Sequence, residues 1–313
     1  MKFLFEEVIA NMPPAFWLVQ FFFIGSFVGS FLNVVVYRLP RNCLSVNNPR
    51  RSFCPSCKTQ LKVVDNIPIF GWLLLRGRCR YCGVKYGVRY PLVELLTAAL
   101  FTLAAWRLLY GDGNAAGSPQ AWLSVLQIQG IVAVMLPWAL IDLDLQYIPD
   151  RLTFGPLLVF VPLAANVAHF TWGLPPEISP LLYAGLPEWL NSLLSALTTG
   201  VAGMLFLRVA GMAGNLLFRR QAEKIGGETM GWADVKIMLV MGVMLGWPKM
   251  LAAFFVAIAL GASIGYILRR ARGTLGVPFG PFLAAGAVTA ALATPELVAA
   301  ARWYMQFLQG LMQ

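Results

Sequence analysis

A single histidine, His169, occurs in 313 residues, and aspartate and glutamate together number only 14. Without a second histidine the chain cannot hold the paired-imidazole motifs of zinc hydrolases. Charge is scarce throughout, at 12% of residues against 58% hydrophobic. A soluble domain carries about 25% charge, so this chain lacks the polar surface to cover a water-soluble globule. A Gly-rich dinucleotide fingerprint is also missing. Gly261-Ala262-Ser263-Ile264-Gly265 spells the Gly-x-Ser-x-Gly of serine hydrolases. It lies inside an apolar run with no strand before it, so the nucleophile-elbow context is absent. Small residues there read as a close helix-packing face.

What the chain has instead is long apolar runs, and about 20 such residues cross a bilayer as helix. Eight spans are expected, near residues 15–37, 91–110, 121–141, 152–170, 189–210, 233–247, 250–268 and 279–295. The sixth is short and ends at Gly246-Trp247-Pro248, so it is expected to be tilted or half-buried. The run from Ala15 to Val36 is too long for a signal-peptide core and lacks a small-residue cleavage site, so it reads as a retained helix. The expected fold is therefore an all-α polytopic membrane protein of about eight transmembrane helices. No internal repeat or low-complexity tract is evident.

The net charge of +10 is unevenly placed: eleven of the 24 Lys and Arg lie between Arg38 and Arg89. Further clusters are Arg219, Arg220 and Lys224, and Arg269, Arg270 and Arg272. Beside apolar spans such clusters set topology, and no nucleic-acid motif accompanies them. The alternation places 38–90, 142–151, 211–232 and 269–278 in the cytoplasm and both termini outside. Lys249 is the exception among the outer loops. Three regions follow: a first transmembrane helix over 1–37, a small cytoplasmic domain over 38–90, and a transmembrane core over 91–313.

A module of about 50 residues needs a staple to fold. Cys54-Pro55-Ser56-Cys57 and Cys79-Arg80-Tyr81-Cys82 form two Cys-x-x-Cys knuckles separated by 21 residues. Four thiolates at this spacing suit a tetrahedral zinc. A disulfide pair is the alternative, disfavoured in a cytoplasmic loop. Four protein ligands would close the coordination sphere and make the zinc structural. Cys43 has no partner at knuckle spacing and reads as an ordinary thiol.

With so few acids, each position carries information. Asp142 follows the apolar run Gly130–Ile141 directly, and Asp144 and Asp150 come after it. Asp234 opens the sixth span on the same expected side. Ionisable groups at membrane depth are costly and usually face the bundle interior or a water pocket. Two carboxylates brought close there cannot both ionise easily, which is the arrangement of aspartic proteases. The alternative is that they are loop acids balancing nearby Lys and Arg.

Several stretches together resemble the type IV prepilin peptidases, bifunctional leader peptidases and N-methyltransferases of pilus and type II secretion systems. They are Gly29-Ser30-Phe31-Leu32-Asn33 through Tyr37-Arg38-Leu39-Pro40, the two knuckles, Asp65-Asn66-Ile67-Pro68-Ile69-Phe70-Gly71-Trp72, Arg89-Tyr90-Pro91-Leu92-Val93-Glu94 and Pro278-Phe279-Gly280-Pro281-Phe282. The resemblance covers nearly the whole chain. It implies an aspartyl peptidase with Asp142, rather than Asp144, and Asp234 as the catalytic pair. It also implies structural zinc on Cys54, Cys57, Cys79 and Cys82, and S-adenosylmethionine as methyl donor. The substrates implied are prepilins or pseudopilins, cut at the cytoplasmic face of the bacterial inner membrane and methylated on the new N-terminus. Glu94 is a candidate for the methyl-donor site, with a helix-start or packing role as its alternative. The sequence departs from the family's Gly-x-Gly-Asp at Gly231-Trp232-Ala233-Asp234, where alanine replaces the second glycine. In a first helical turn alanine is acceptable. A peptidase without methylation and a non-catalytic assembly factor are the competing readings.

Overall fold

The computed structural model describes residues 11–41, 46, 52–111, 115–166, 185–217, 231–246, 249–272 and 278–293, with isolated positions 296, 299, 303 and 306. Cys43 and His169 lie outside the described residues. The regular structure is helical, with two isolated β-bridges, Phe53 to Gln60 and Arg78 to Lys85. Among the described residues, five helices are long and apolar enough to cross a membrane. The chain divides into two compact units, residues 1–141 and 142–313.

In the first unit, α1 (Pro14–Arg38) starts with proline at its first position, where a missing N–H costs nothing. Its buried face, Phe21, Gly25, Gly29, Leu32 and Val36, follows helical spacing. The opposite face carries Phe23, Phe27 and Phe31, exposed as suits lipid. α1 packs along α3 (Arg89–Trp106). The contact needs glycine: a Cβ on Gly25 would stand 2.7 Å from Ala98 Cα, and one on Gly29 2.7 Å from Glu94 Cα. Small residues spaced by four let helix backbones approach in this way. Phe21, Ala105, Leu109, Ala121 and Val125 form the apolar core at the far end, with Trp17 and Trp122 in edge contact at 4.8 Å. Between α1 and α3 lies the knuckle loop, which contains the short α2 (Phe70–Leu74). The long α4 (Pro119–Leu145) runs to the boundary with the second unit.

The two knuckles repeat one turn, an internal repeat that the sequence did not betray. Lys58 N–H donates to Cys54 C=O, and Gly83 N–H to Cys79 C=O. Cys54 N–H returns to Thr59 C=O, and Cys79 N–H to Val84 C=O. Lys58 and Gly83, each following the second cysteine, both have positive φ, 59° and 70°.

In the second unit, α5 (Asp150–Phe154) and α6 (Leu157–Asn166) occupy the fourth expected span as far as it is described. Next come α7 (Glu188–Leu217), α8 (Trp232–Leu245), α9 (Lys249–Arg272) and α10 (Gly280–Leu292). α8 has 14 residues, nine of them buried between Val235 and Leu245, and touches α5, α6, α7, α9 and α10. At 1.5 Å per residue it is only about 21 Å long. The short sixth span is thus the central helix of its unit, in contact with five others.

Candidate active site and metal centre

Asp142 lies in the last turn of α4. Gln146 ends that helix in a left-handed conformation, φ 51°, with its N–H on the Asp142 carbonyl at 2.9 Å. The Asp142 side chain is buried, at 7% exposure, whereas Asp144 two residues on is exposed. Asp142 Oδ2 accepts the backbone N–H of Gly280 at 3.0 Å, a contact across 138 residues. Gly280 opens α10, so the carboxylate meets a helix N-terminus, where unpaired N–H groups favour negative charge. A Cβ on Gly280 would stand 2.5 Å from Asp142 Oδ2. Only glycine lets the backbone reach the acid.

Asp234 sits in the first turn of α8, close enough to Asp142 for the two carboxylates to interact electrostatically. Two contacts hold that end of α8. Lys236 Nζ lies 2.5 Å from Asp150 Oδ1, tying the helix to the turn that follows Asp142. Arg208 of α7 stacks over the Trp232 ring at 5.1 Å. Ala233 is the second residue of the helix and is not among the described residues with positive φ. Its methyl group therefore sits in ordinary helical backbone.

The four knuckle cysteines converge, with all sulfurs within 4.8 Å of one another. Cys54 and Cys82 Sγ are 3.8 Å apart. A disulfide needs about 2.05 Å. A tetrahedron with Zn–S of about 2.3 Å has S···S edges of about 3.8 Å. The donor set fits a closed, structural zinc. Tyr86 lies beside it: burial, and then the Cys79 thiol, push its phenol above the ordinary tyrosine value.

Glu94 belongs to the first unit, whereas both aspartates belong to the second. It lines a cavity of about 160 Å³ bounded by α1, the knuckle loop and the start of α3. Glu94 Oε2 accepts the Ile69 N–H at 2.6 Å. Asp65 lines the same cavity, and Arg80 binds its Oδ1 twice, at 2.9 and 2.6 Å. The Arg80 hydrogen bonds hold the Asp65 carboxyl below the usual carboxylate range. The other oxygen, Oδ2, is buried and has no partner. Neither Asp65 nor Gly280 was singled out as a functional residue by sequence reasoning. Both stood in motifs that carried the resemblance, which was the available signal.

The sequence matches the family profile described as "Bacterial Peptidase A24 N-terminal domain" over residues 23–108. It matches that of the "Type IV leader peptidase family" over 130–266. Similar proteins include a "Prepilin leader peptidase/N-methyltransferase" of Burkholderia pseudomallei (strain 1026b), 33% identical over 91% of this chain and 89% of the relative. A protein of the same description from Aeromonas salmonicida (strain A449) is 31% identical over 96% and 97%. One from Neisseria gonorrhoeae is 29% identical over 90% and 92%. No solved structure matches the chain at a significant level.

Proposed function

The chain belongs to the type IV leader peptidase family, the A24 peptidases, and from that premise we propose that it is a membrane aspartyl endopeptidase with Asp142 and Asp234 as its catalytic pair. Its substrates are prepilins or pseudopilins, whose short basic leader it removes, and it then methylates the new N-terminus. The observation that carries the reading is the burial of Asp142 on the Gly280 amide within electrostatic reach of Asp234. Asp144, two residues on, is exposed.

The chemistry follows from two carboxylates and a water. The ionised carboxylate takes a proton from water, and the resulting hydroxide adds to the scissile carbonyl. The protonated partner donates to the carbonyl oxygen as charge develops there. The C–N bond then breaks as the nitrogen takes up a proton, giving a new carboxyl and a new α-amine. The Gly280 N–H fixes Asp142 by one oxygen and leaves the other for water. Zinc on the four cysteines shapes the loop and touches no substrate. S-adenosylmethionine, when bound, supplies an electrophilic methyl carbon for the new α-amine. The active face is cytoplasmic in a bacterial inner membrane, as the Lys and Arg clusters of 38–90 and 269–272 support. Eight spans, both termini periplasmic, complete the topology.

Co-expression with a prepilin tests the pair. Asp142→Asn and Asp234→Asn each lower cleavage at least about 10²-fold, the usual loss for a general acid or base. Asp144→Asn cleaves like the wild type, and Ala233→Gly changes turnover only modestly. Retained cleavage in both catalytic variants sinks the mechanism. Mass spectrometry of the product N-terminus reads the methyl group.

A further inference from the structure

The knuckle-loop cavity holds features that cleavage does not use. It lies wholly within the first unit, which contains neither catalytic aspartate. Its volume of about 160 Å³ gives room for about 11–16 waters at the roughly 10–15 Å³ each requires. That is space for a nucleoside-sized molecule rather than a single ion.

Its walls are acidic and aromatic. Asp65 and Glu94 are both buried, at 8% exposure each, and both line the cavity. The unpartnered Asp65 Oδ2 is the sharper signal. A buried acceptor left without a donor costs about 1–3 kcal/mol, so native structures rarely leave one idle. Hydroxyl or ammonium groups of a ligand would supply the missing donor. Directly after the lining residue Ile67 the chain makes a γ-turn of the rare positive-φ kind. Ile69 has φ 63° and ψ −56°, and Phe70 N–H donates to Pro68 C=O at 2.6 Å. For a β-branched residue this is a genuine outlier, and such strain collects at ligand sites. The turn aims the Ile69 N–H at Glu94 and so fixes that carboxylate. Below it, a Cβ on Gly71 would stand 2.4 Å from the Asp65 carbonyl oxygen, so the acid-bearing segment rests directly on backbone.

We propose that this cavity is the methyl-donor site, in which Asp65 Oδ2 accepts from the ribose hydroxyls of S-adenosylmethionine and Glu94 faces its cationic sulfonium and ammonium groups. The inference rests on the methyltransferase half of the function proposed above. S-adenosylmethionine is positively charged at two atoms and carries a vicinal diol, and carboxylates are the general partners of both. Tyr37, Trp72 and Tyr90 supply aromatic surface for the adenine and for the sulfonium. Arg38, buried on the same wall, faces the single carboxylate of the donor.

The test is binding of S-adenosylhomocysteine and S-adenosylmethionine to the purified full chain, read by titration calorimetry in detergent. Asp65→Asn and Glu94→Gln keep side-chain shape and the bonds from Arg80 and Ile69. Each is expected to weaken S-adenosylmethionine at least tenfold. Glu94→Gln should weaken the uncharged-sulfur homocysteine product less, because the sulfonium is gone. Ile67→Trp, which puts a larger side chain into the cavity and leaves both acids unsubstituted, abolishes binding of both. Zinc content reports folding of each variant, and Ile67→Trp decides if an acid variant loses its metal. Wild-type affinity in all three variants overturns the site and leaves the methyltransferase reading standing. A wild type that neither binds the donor nor yields methylated product overturns both.

Discussion

Lys58 is a residue whose backbone and side chain disagree. Its φ of 59° is left-handed, and its counterpart in the second knuckle, at φ 70°, is Gly83. A non-glycine residue there is strained, and glycine is not. Lys58→Gly is therefore expected to stabilise the zinc-loaded protein by up to about 1 kcal/mol, less the entropy gained by the unfolded chain. Thermal unfolding in detergent measures this, and an unchanged or lower midpoint refutes it. The same pair explains why the repeat was not legible. Each knuckle shows Cys-x-x-Cys, but Lys against Gly hides that the following residue plays one role twice. Ala233 teaches the reverse lesson. The family pattern marks it as a departure, whereas the backbone there is plain helix at the start of α8. A methyl group at such a position disturbs nothing that depends on positive φ.

At the level of elements, the knuckle loop has little else to hold it. Its regular structure is the five-residue α2, two isolated bridges and short turns. A module with so small a core depends on its staple. Pure protein should contain about one zinc per chain, bound by four thiolates at the usual Zn–S distance of about 2.3 Å. Metal analysis with X-ray absorption reads both. Cys54→Ser and Cys79→Ser lose the metal, and protease then cuts between residues 52 and 88. A loop that resists protease without metal would remove zinc from its structural role. The ligand set was legible because thiolate spacing is a local pattern. The enclosure of α8 was legible only in part. Its length marked it as short, but nine buried residues lie all round it rather than along one stripe. An apolar sequence of that kind does not say whether lipid or protein surrounds it.

For the whole molecule, five of the eight expected spans, the first, second, third, fifth and seventh, stand among the described residues as helices long and apolar enough to cross a membrane, since hydropathy alone identifies helices that lipid will accept. The contacts that make a site were not legible. The Asp142–Gly280 bond joins residues 138 apart, and its donor has no side chain to leave a mark in the sequence beyond glycine itself. The division into two units has a functional counterpart. Among the described residues, those lining the cavity all belong to the first unit and both aspartates to the second. Effects at sites that share no partner add within about 0.3–0.5 kcal/mol, or about twofold in a binding constant. Asp142→Asn is thus expected to end cleavage while donor affinity stays within about twofold. A parallel collapse of both readouts would show that the units work as one.

The bond on Asp142 is also unusual in what can damage it. Its donor is a peptide N–H, which every residue but proline carries. Substitution at position 280 by any residue other than proline therefore cannot erase the hydrogen bond by removing a functional group, as it could with a serine or an arginine. It can only crowd the carboxylate, since any side chain at position 280 enters space that Asp142 already fills. The tuning of this acid is written in main chain. An exhaustive substitution scan would record position 280 as a packing site and would miss the electrostatic one beneath it.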